Sequence, residues 1–156
     1  MKVKILLISA LALTACGGTA GSQRDSEDAV LEPVRAFYAA YDEGFIQPAD
    51  YATDDWNHIN PLGGRMRSKA DTLDEVRGVH TTFLKGATDT IETADVRFAS
   101  DDVAVATVLS RTSAFAAPGE TEARARQQLR TFVVVRRDGK WLVMQDHNTE
   151  VGAAQP

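Results

Sequence analysis

Residues 127–151 read QQLRTFVVVRRDGKWLVMQDHNTEV, and this stretch decides the fold of the chain. Its centre, Asp138-Gly139, is a dipeptide that strongly favours a tight two-residue hairpin. The stretch therefore predicts two antiparallel strands, Gln127–Arg137 and Lys140–Val151, joined by that turn. The run Phe132–Val135 is apolar at four consecutive positions, so it places apolar side chains on both faces of its strand.

Further strands precede the hairpin. Thr90–Ala99 alternates between apolar and polar residues, and Val103–Phe115 is rich in β-branched residues. A shorter strand is predicted at Asp55–Asn60, before the chain breaker Pro61-Leu62-Gly63-Gly64. The second half of the domain is thus a run of antiparallel strands.

The first half of the domain has the apolar spacing of helices. Pro33 lies inside the first helical pattern, so the helix is expected either to start or to kink there. A short helix is predicted at Pro48–Tyr51, and a longer one begins either at Ser68 or at the capping box Thr72–Glu75. Helices followed by strands indicate an α+β fold. The first helical stripe is Val30, Leu31, Val34, Phe37, Tyr38, Tyr41 and Phe45, and the later one is Leu73, Val76, His80, Phe83 and Leu84.

The doubly apolar strand predicts a homodimer. A sheet that helices cover on one side ordinarily has a polar second face. Here Phe132–Val135, with Val103, Val105 and Val108 on a neighbouring strand, indicates an apolar outer face. Monomers rarely expose a large patch of that kind, so we expect a second copy to cover it.

The first 16 residues have the pattern of an export signal. Lys2 and Lys4 precede nine apolar or small residues, a run too short to span a bilayer, which needs about 20. The sequence Leu13-Thr14-Ala15-Cys16-Gly17 resembles the bacterial lipobox, which predicts that Cys16 is lipidated; an ordinary secretory signal is the alternative. The predicted organisation is a signal peptide at 1–15, a lipidated cysteine with a flexible tether at 16–24, one domain at 25–151 and a tail at 152–156.

Charge and position 18 refine where the protein is expected to act. Removing residues 1–15 takes away two lysines and no acids, so the formal net charge of −5 becomes −7. An acidic domain is poorly suited to nucleic acid. Position 18 is Gly rather than Asp, which by resemblance to lipoproteins of Gram-negative bacteria favours the outer membrane, facing the periplasm.

Three stretches in this order resemble the nuclear transport factor 2-like superfamily, and within it the SnoaL-like group of the SgcJ/EcaC type. They are Ala36–Gly44, Asp55–Gly63, and Val135–Val143 followed by Asp146–Thr149. The resemblance implies a curved sheet that helices wrap into a cone, a mostly apolar pocket and dimers. Its members include isomerases, cyclases, dehydratases, hydrolases and non-catalytic binders, so the fold leaves function open.

Eight polar or aromatic residues are candidates for the pocket. The alternative is a buried histidine with one hydrogen-bond partner for His80, solvated strand-end polarity for His147 and Asn148, and packing for the others. His80 lies on an apolar helical stripe and so faces inward. Alternation places His147 on the opposite strand face from Asp146 and Asn148, without indicating which face lines the pocket. The candidates are Tyr38, Tyr41, Trp56, His58, Asn60, His80, His147 and Asn148.

The chemistry predicted for this pocket is limited. The three histidines match no metal-ligand spacing, and no nucleotide-binding glycine motif or nucleophile elbow is present, so neither metal nor cofactor is expected. Asn60 stands where the isomerases of the resembled superfamily carry an Asp base, and an amide cannot accept that proton. We therefore expect a domain that binds a small, largely apolar ligand. A cofactor-free acid/base enzyme, in which His58 could replace the missing base, and an inert structural lipoprotein are the alternatives.

Overall fold

The computed structural model describes residues 20–152, so the predicted signal peptide, Cys16 and residues 153–156 lie outside the described residues. The fold is α+β, as predicted, with six strands in one curved sheet. The strand order is β2-β1-β6-β5-β4-β3; β1 and β6 are parallel and all other neighbours antiparallel. The elements are α1 (Ala20–Asp42), β1 (Ala52–Ile59), β2 (Arg65–Met66), α2 (Lys69–His80), β3 (Asp89–Ser100), β4 (Val103–Phe115), β5 (Arg124–Arg137) and β6 (Lys140–Glu150).

The predicted β5–β6 hairpin is present. Asp138 and Gly139 have φ angles of 51° and 78°, as a two-residue turn with positive φ at both positions requires. The strands diverge from the prediction only at their ends, because β5 begins at Arg124 and β6 stops at Glu150.

Of the two alternatives predicted for Pro33, a helix start there is wrong, because α1 runs through that residue. The helix neither begins nor ends at Pro33, which is buried within it. It starts at Ala20, inside the segment 16–24 that was expected to be a tether. It ends in the predicted Asp42–Gly44 turn, where Gly44 has a φ of 71° and the Phe45 N–H donates to the Ala40 carbonyl at 2.7 Å.

One local helix prediction is wrong, and of the two starts predicted for the later helix the Ser68 alternative is confirmed. Pro48–Tyr51 forms no helix; the Ala52 N–H closes a single turn onto the Ala49 carbonyl at 3.1 Å. Helix α2 is capped by Ser68, whose hydroxyl accepts from the Asp71 N–H at 3.1 Å, and not by the Thr72 box. Thr72 is instead fully buried one turn inside the helix. Short side-chain patterns of this kind are common, and tertiary packing selects among them.

The two faces of the sheet differ in burial. The concave face packs its apolar residues against α1, and Val108, Phe132 and Val134 on this face are fully buried. Val108 therefore does not belong to the outer face, where it was predicted. Val103, Val105 and Val133 lie on the convex face and are half-buried. Within residues 20–152, no helix has the length and apolar character needed to cross a membrane.

Candidate functional site

A cavity of about 280 Å³ lies between α1, α2 and the concave face of the sheet. Most of its wall is apolar, because both helices turn their apolar stripes toward it. Polar side chains come mainly from the ends of the strands. The main apolar contributors are Phe37, Tyr41, Phe45, Val76, Phe83 and Phe115.

One side of the cavity rests on a buried carboxylate, Asp146, whose charge is fully paired. Asp146 accepts hydrogen bonds from Trp56 Nε1 at 2.8 Å, His58 Nδ1 at 2.8 Å and Arg130 Nη1 at 2.6 Å. Burial alone would raise the pKa of Asp146, but His58, Arg130 and Trp56 outweigh it and hold that pKa below its usual range. We call Trp56, His58, Arg130 and Asp146 the paired wall.

The paired wall fixes the orientation of His58. Because the ionised Asp146 carboxylate only accepts, Nδ1 of His58 carries the hydrogen, and Nε2 of the neutral ring is an acceptor. That nitrogen lies 3.9 Å from Glu75 Oε2, and both residues line the cavity. Asn60 Nδ2 donates to the other Glu75 oxygen at 3.1 Å. His58 therefore has the arrangement of a general base, with a carboxylate behind it.

Another part of the cavity lining carries polar atoms without partners of normal geometry, and we call His80 and Asp89 the unpaired wall. His80 Nδ1 donates to the Val76 carbonyl at 2.7 Å, which makes Nε2 an acceptor. That nitrogen is buried and has no hydrogen-bond partner among residues 20–152. Burial lowers the pKa of His80, so the ring is neutral at pH 7. Its edge packs on Tyr41 with ring centroids 4.5 Å apart.

Asp89 is the second member of the unpaired wall. It is 4% exposed, and neither carboxylate oxygen has a hydrogen-bond partner of normal geometry within the described part of the chain, although the Ser110 and Thr112 hydroxyls are near enough to act on its charge. Burial raises the pKa of Asp89 from 3.8 to about 6, although Arg130, Ser110 and Thr112 partly offset that effect. The backbone fixes the residue, because its N–H donates to Asp42 Oδ1 at 2.8 Å.

The structure brings five of the eight candidate residues to the cavity and leaves three away from it. Tyr38 lies behind the wall, where its hydroxyl donates to Ser110 at 3.4 Å. Trp56 is fully buried behind His58, and His147 is exposed on the convex face. With no ligand present, these roles stay predictions. The residues at the cavity are Tyr41, His58, Asn60, His80 and Asn148.

The sequence analysis missed Asp89, Gln128 and Arg130 in the cavity. The positions of Gln128 and Arg130 could have been predicted, because alternate residues of a strand share a face and Phe132 on the same face points inward. For Asp89 no such prediction was possible, since its place depends on the register of β3 against Thr112 of β4.

The fold and the cavity define a class of protein with known structures. A cystatin-like protein of uncharacterised function from Caulobacter vibrioides superposes with a TM-score of 0.76 at 21% identity, over 82% of this chain and 91% of its own. A hexachlorocyclohexane dehydrochlorinase, LinA type 2, superposes with a TM-score of 0.71 at 15% identity, over 88% of this chain and 99% of its own. The association domain of C. elegans CaMKII superposes with a TM-score of 0.62 at 15% identity, over 82% of this chain and 98% of its own. The chain thus has the cystatin-like, nuclear transport factor 2-like fold.

A sequence profile narrows the class to a family. The profile of the calcium/calmodulin dependent protein kinase II association domain matches residues 74–152, from within α2 past the end of β6. The chain belongs to this association domain family. No curated protein matches the sequence.

Proposed function

We propose that this protein binds a small, largely apolar ligand in the cavity between the helices and the sheet. The observation that supports this proposal is the cavity itself, about 280 Å³ with aromatic side chains over most of its wall. Ligand sites in proteins are typically concave and apolar, with a few convergent polar groups. A filled and inert cone would have no such space. One protein of the same fold, the hexachlorocyclohexane dehydrochlorinase, is named for a small apolar ring compound.

A thermal-shift screen with apolar ring compounds and fatty acids tests the proposal. Val79 lines the cavity, so Val79→Trp should fill it and abolish the shifts seen with the wild-type chain. Ile46→Trp, at an exposed position outside the cavity lining, is the control and should leave those shifts unchanged. If no compound stabilises the wild-type chain, or if Val79→Trp responds as well as Ile46→Trp does, the proposal is wrong.

An acid/base enzyme is the second candidate, and the His58–Asp146 pair favours it. An imidazole held at Nδ1 by a buried carboxylate, with its other nitrogen toward a cavity, has the geometry needed to take a proton. Asn60 lies near His58 at the position of the isomerase base, and it donates to Glu75. We expect no isomerisation of a β,γ- to an α,β-enone by the wild-type chain. Turnover that disappears in His58→Ala would replace the binding proposal with catalysis.

The location proposed for this protein is the cell envelope, anchored by a lipid on Cys16, in the outer membrane facing the periplasm. The support is the sequence pattern before Cys16. Cell fractionation of the wild type and Cys16→Ser tests it. Cys16→Ser should leave the membrane fraction, and equal retention of both forms would contradict the lipoprotein interpretation.

A homodimer through the convex face is also proposed, as is a closer relationship to the SnoaL-like SgcJ/EcaC group. The convex face carries half-buried Val105 and Val133 opposite each other and Leu129 at 43% exposure. Membership of an association domain family agrees with self-assembly. Sedimentation at micromolar concentration should show a dimer for the wild type and a monomer for Val133→Arg. A wild-type monomer across that range would contradict the proposal.

A further inference from the structure

We propose that the cavity selects an apolar ligand that carries a protonated amine, and that the ammonium group pairs with Asp89, with His80 Nε2 as a second acceptor. This inference rests on the proposed function and names the chemistry of its ligand. It starts from the hydrogen-bonding capacity left unused on the cavity wall.

The unused capacity consists almost wholly of acceptors. Among cavity-lining residues of the described chain, the buried side-chain atoms without a partner are five acceptors and one donor, Arg130 Nε. Three of the acceptors, His80 Nε2 and both Asp89 oxygens, do not depend on how an amide is oriented. The other two are Gln128 Oε1 and Asn148 Oδ1. A buried acceptor without a donor costs free energy, so the complementary ligand presents N–H groups.

The charges at the cavity favour a cation over an anion. Apart from the histidines, its charged lining residues are Glu75, Asp89 and Glu150 against the single cation Arg130. The Arg130 guanidinium is already bound to Asp146 at 2.6 Å and lies over the Phe37 ring at 4.7 Å. Glu150 is likewise paired with Arg126 at 2.9 Å. Glu75 accepts a hydrogen bond from Asn60 at 3.1 Å, whereas Asp89 has no ion pair within the described residues and feels Arg130 only at longer range. A ligand carboxylate would meet net repulsion from these acids.

The aromatic surroundings suit an ammonium group on an apolar body. Tyr41 packs its ring on His80, and the phenol is close enough to Asp89 for the carboxylate charge to raise the pKa of Tyr41. Phe45 packs on the same His80 ring with centroids 5.2 Å apart. Aromatic faces attract cations, and the desolvated position of Asp89 strengthens its ion pair. The ring side chains hold the apolar part while the unpaired wall binds the charged end.

Three probes with one skeleton test this inference: 4-phenylbutylamine, 4-phenylbutanol and 4-phenylbutyrate, titrated calorimetrically into the full-length chain at pH 7.5. We expect the amine to bind about tenfold or more tightly than the alcohol, and the carboxylate to bind least. Asp89→Asn should reduce amine affinity by about tenfold and change alcohol affinity by less than about threefold. Asp95→Asn, an exposed acid on the same strand, is the matched control and should bind all three like the wild type.

The outcomes separate this inference from the function on which it rests. Equal binding of amine and alcohol, tighter binding of the carboxylate, or an unchanged amine affinity in Asp89→Asn would each overturn amine selection while leaving small-ligand binding intact. If neutral ring compounds also fail to bind, the proposed function falls, and the inference falls with it.

Discussion

The paired wall and the unpaired wall of one cavity use the same residue types in opposite ways. Each has a histidine and a buried aspartate. His58 donates to Asp146, which also binds Arg130 and Trp56, so every charge there has a partner. His80 donates to a backbone carbonyl, and the Asp89 carboxylate has neither an ion pair nor a hydrogen-bond donor of normal geometry within the described residues.

We infer from this difference that the paired wall stabilises the fold and that the unpaired wall binds the ligand. A buried carboxylate with three donors is stabilising relative to the same carboxylate with one removed. A buried carboxylate without donors lowers stability, and proteins retain such groups where function requires them. The two walls should therefore respond in opposite directions when their aspartates are replaced.

Removing Asp146 should have the largest effect. Asp146→Ala leaves the buried Arg130 cation without its ion pair and Trp56 and His58 without their acceptor, so we expect a loss of about 3–5 kcal/mol in the free energy of unfolding. Urea denaturation at pH 7 measures it. Asp54→Ala is the control, because that side chain is 101% exposed and should change stability by less than about 0.5 kcal/mol. A similar small change in Asp146→Ala would show that the paired wall does not support the fold.

Replacing Asp89 should stabilise the protein. The pKa of Asp89 in the folded protein, about 6, lies above the ordinary 3.8. The stability that the protonated carboxyl contributes is therefore fully present below pH 3.8 and is lost as the pH rises through 6. At pH 8 we expect Asp89→Asn to raise the free energy of unfolding by up to about 2–3 kcal/mol. Near pH 3.5 we expect the substitution to leave it unchanged. Asp146 has the opposite sign, because its lowered pKa makes its contribution disappear as the pH falls. Denaturation of Asp89→Asn at both pH values checks this, and a loss of stability at pH 8 would contradict it.

The two histidines should differ by a smaller amount. His58→Phe removes a donor from buried Asp146 and should cost about 1–3 kcal/mol. His80→Phe keeps the ring against Tyr41 and removes an acceptor that has no partner, so we expect a change below about 1 kcal/mol. Thermal unfolding of both variants gives the comparison. Equal losses would mean that the two walls are not energetically distinct.

The sequence was sufficient for the parts of this comparison that depend on local pattern. The Asp138-Gly139 turn, the inward direction of His80 and the shared side of Trp56, His58 and Asn60 follow from turn geometry and from strand or helix periodicity. The outer-face assignment of Val108 was wrong, because an apolar run on neighbouring strands does not show which residues face the helices.

Which charges are paired in each wall could not be predicted from the sequence. His58 and Asp146 are 88 positions apart and meet only through the parallel pairing of β1 with β6. Asp89 differs from exposed acids such as Asp95 only through long-range register. Pro33 shows the reverse case, in which packing keeps a helix continuous against a local breaker.

The titration of the Asp89 carboxyl, followed by its ¹³Cγ chemical shift in the full-length chain, tests the central claim most directly. The groups that act on it are Tyr41 and Asp42 from α1, Ser110 and Thr112 from β4, and Arg130 from β5. We expect a midpoint of about 6 without ligand. Saturation with 4-phenylbutylamine should lower that midpoint by about one unit or more, because the ammonium stabilises the ionised form. A midpoint near the ordinary value of 3.8 that the amine does not move would contradict an unpaired wall that selects a cation.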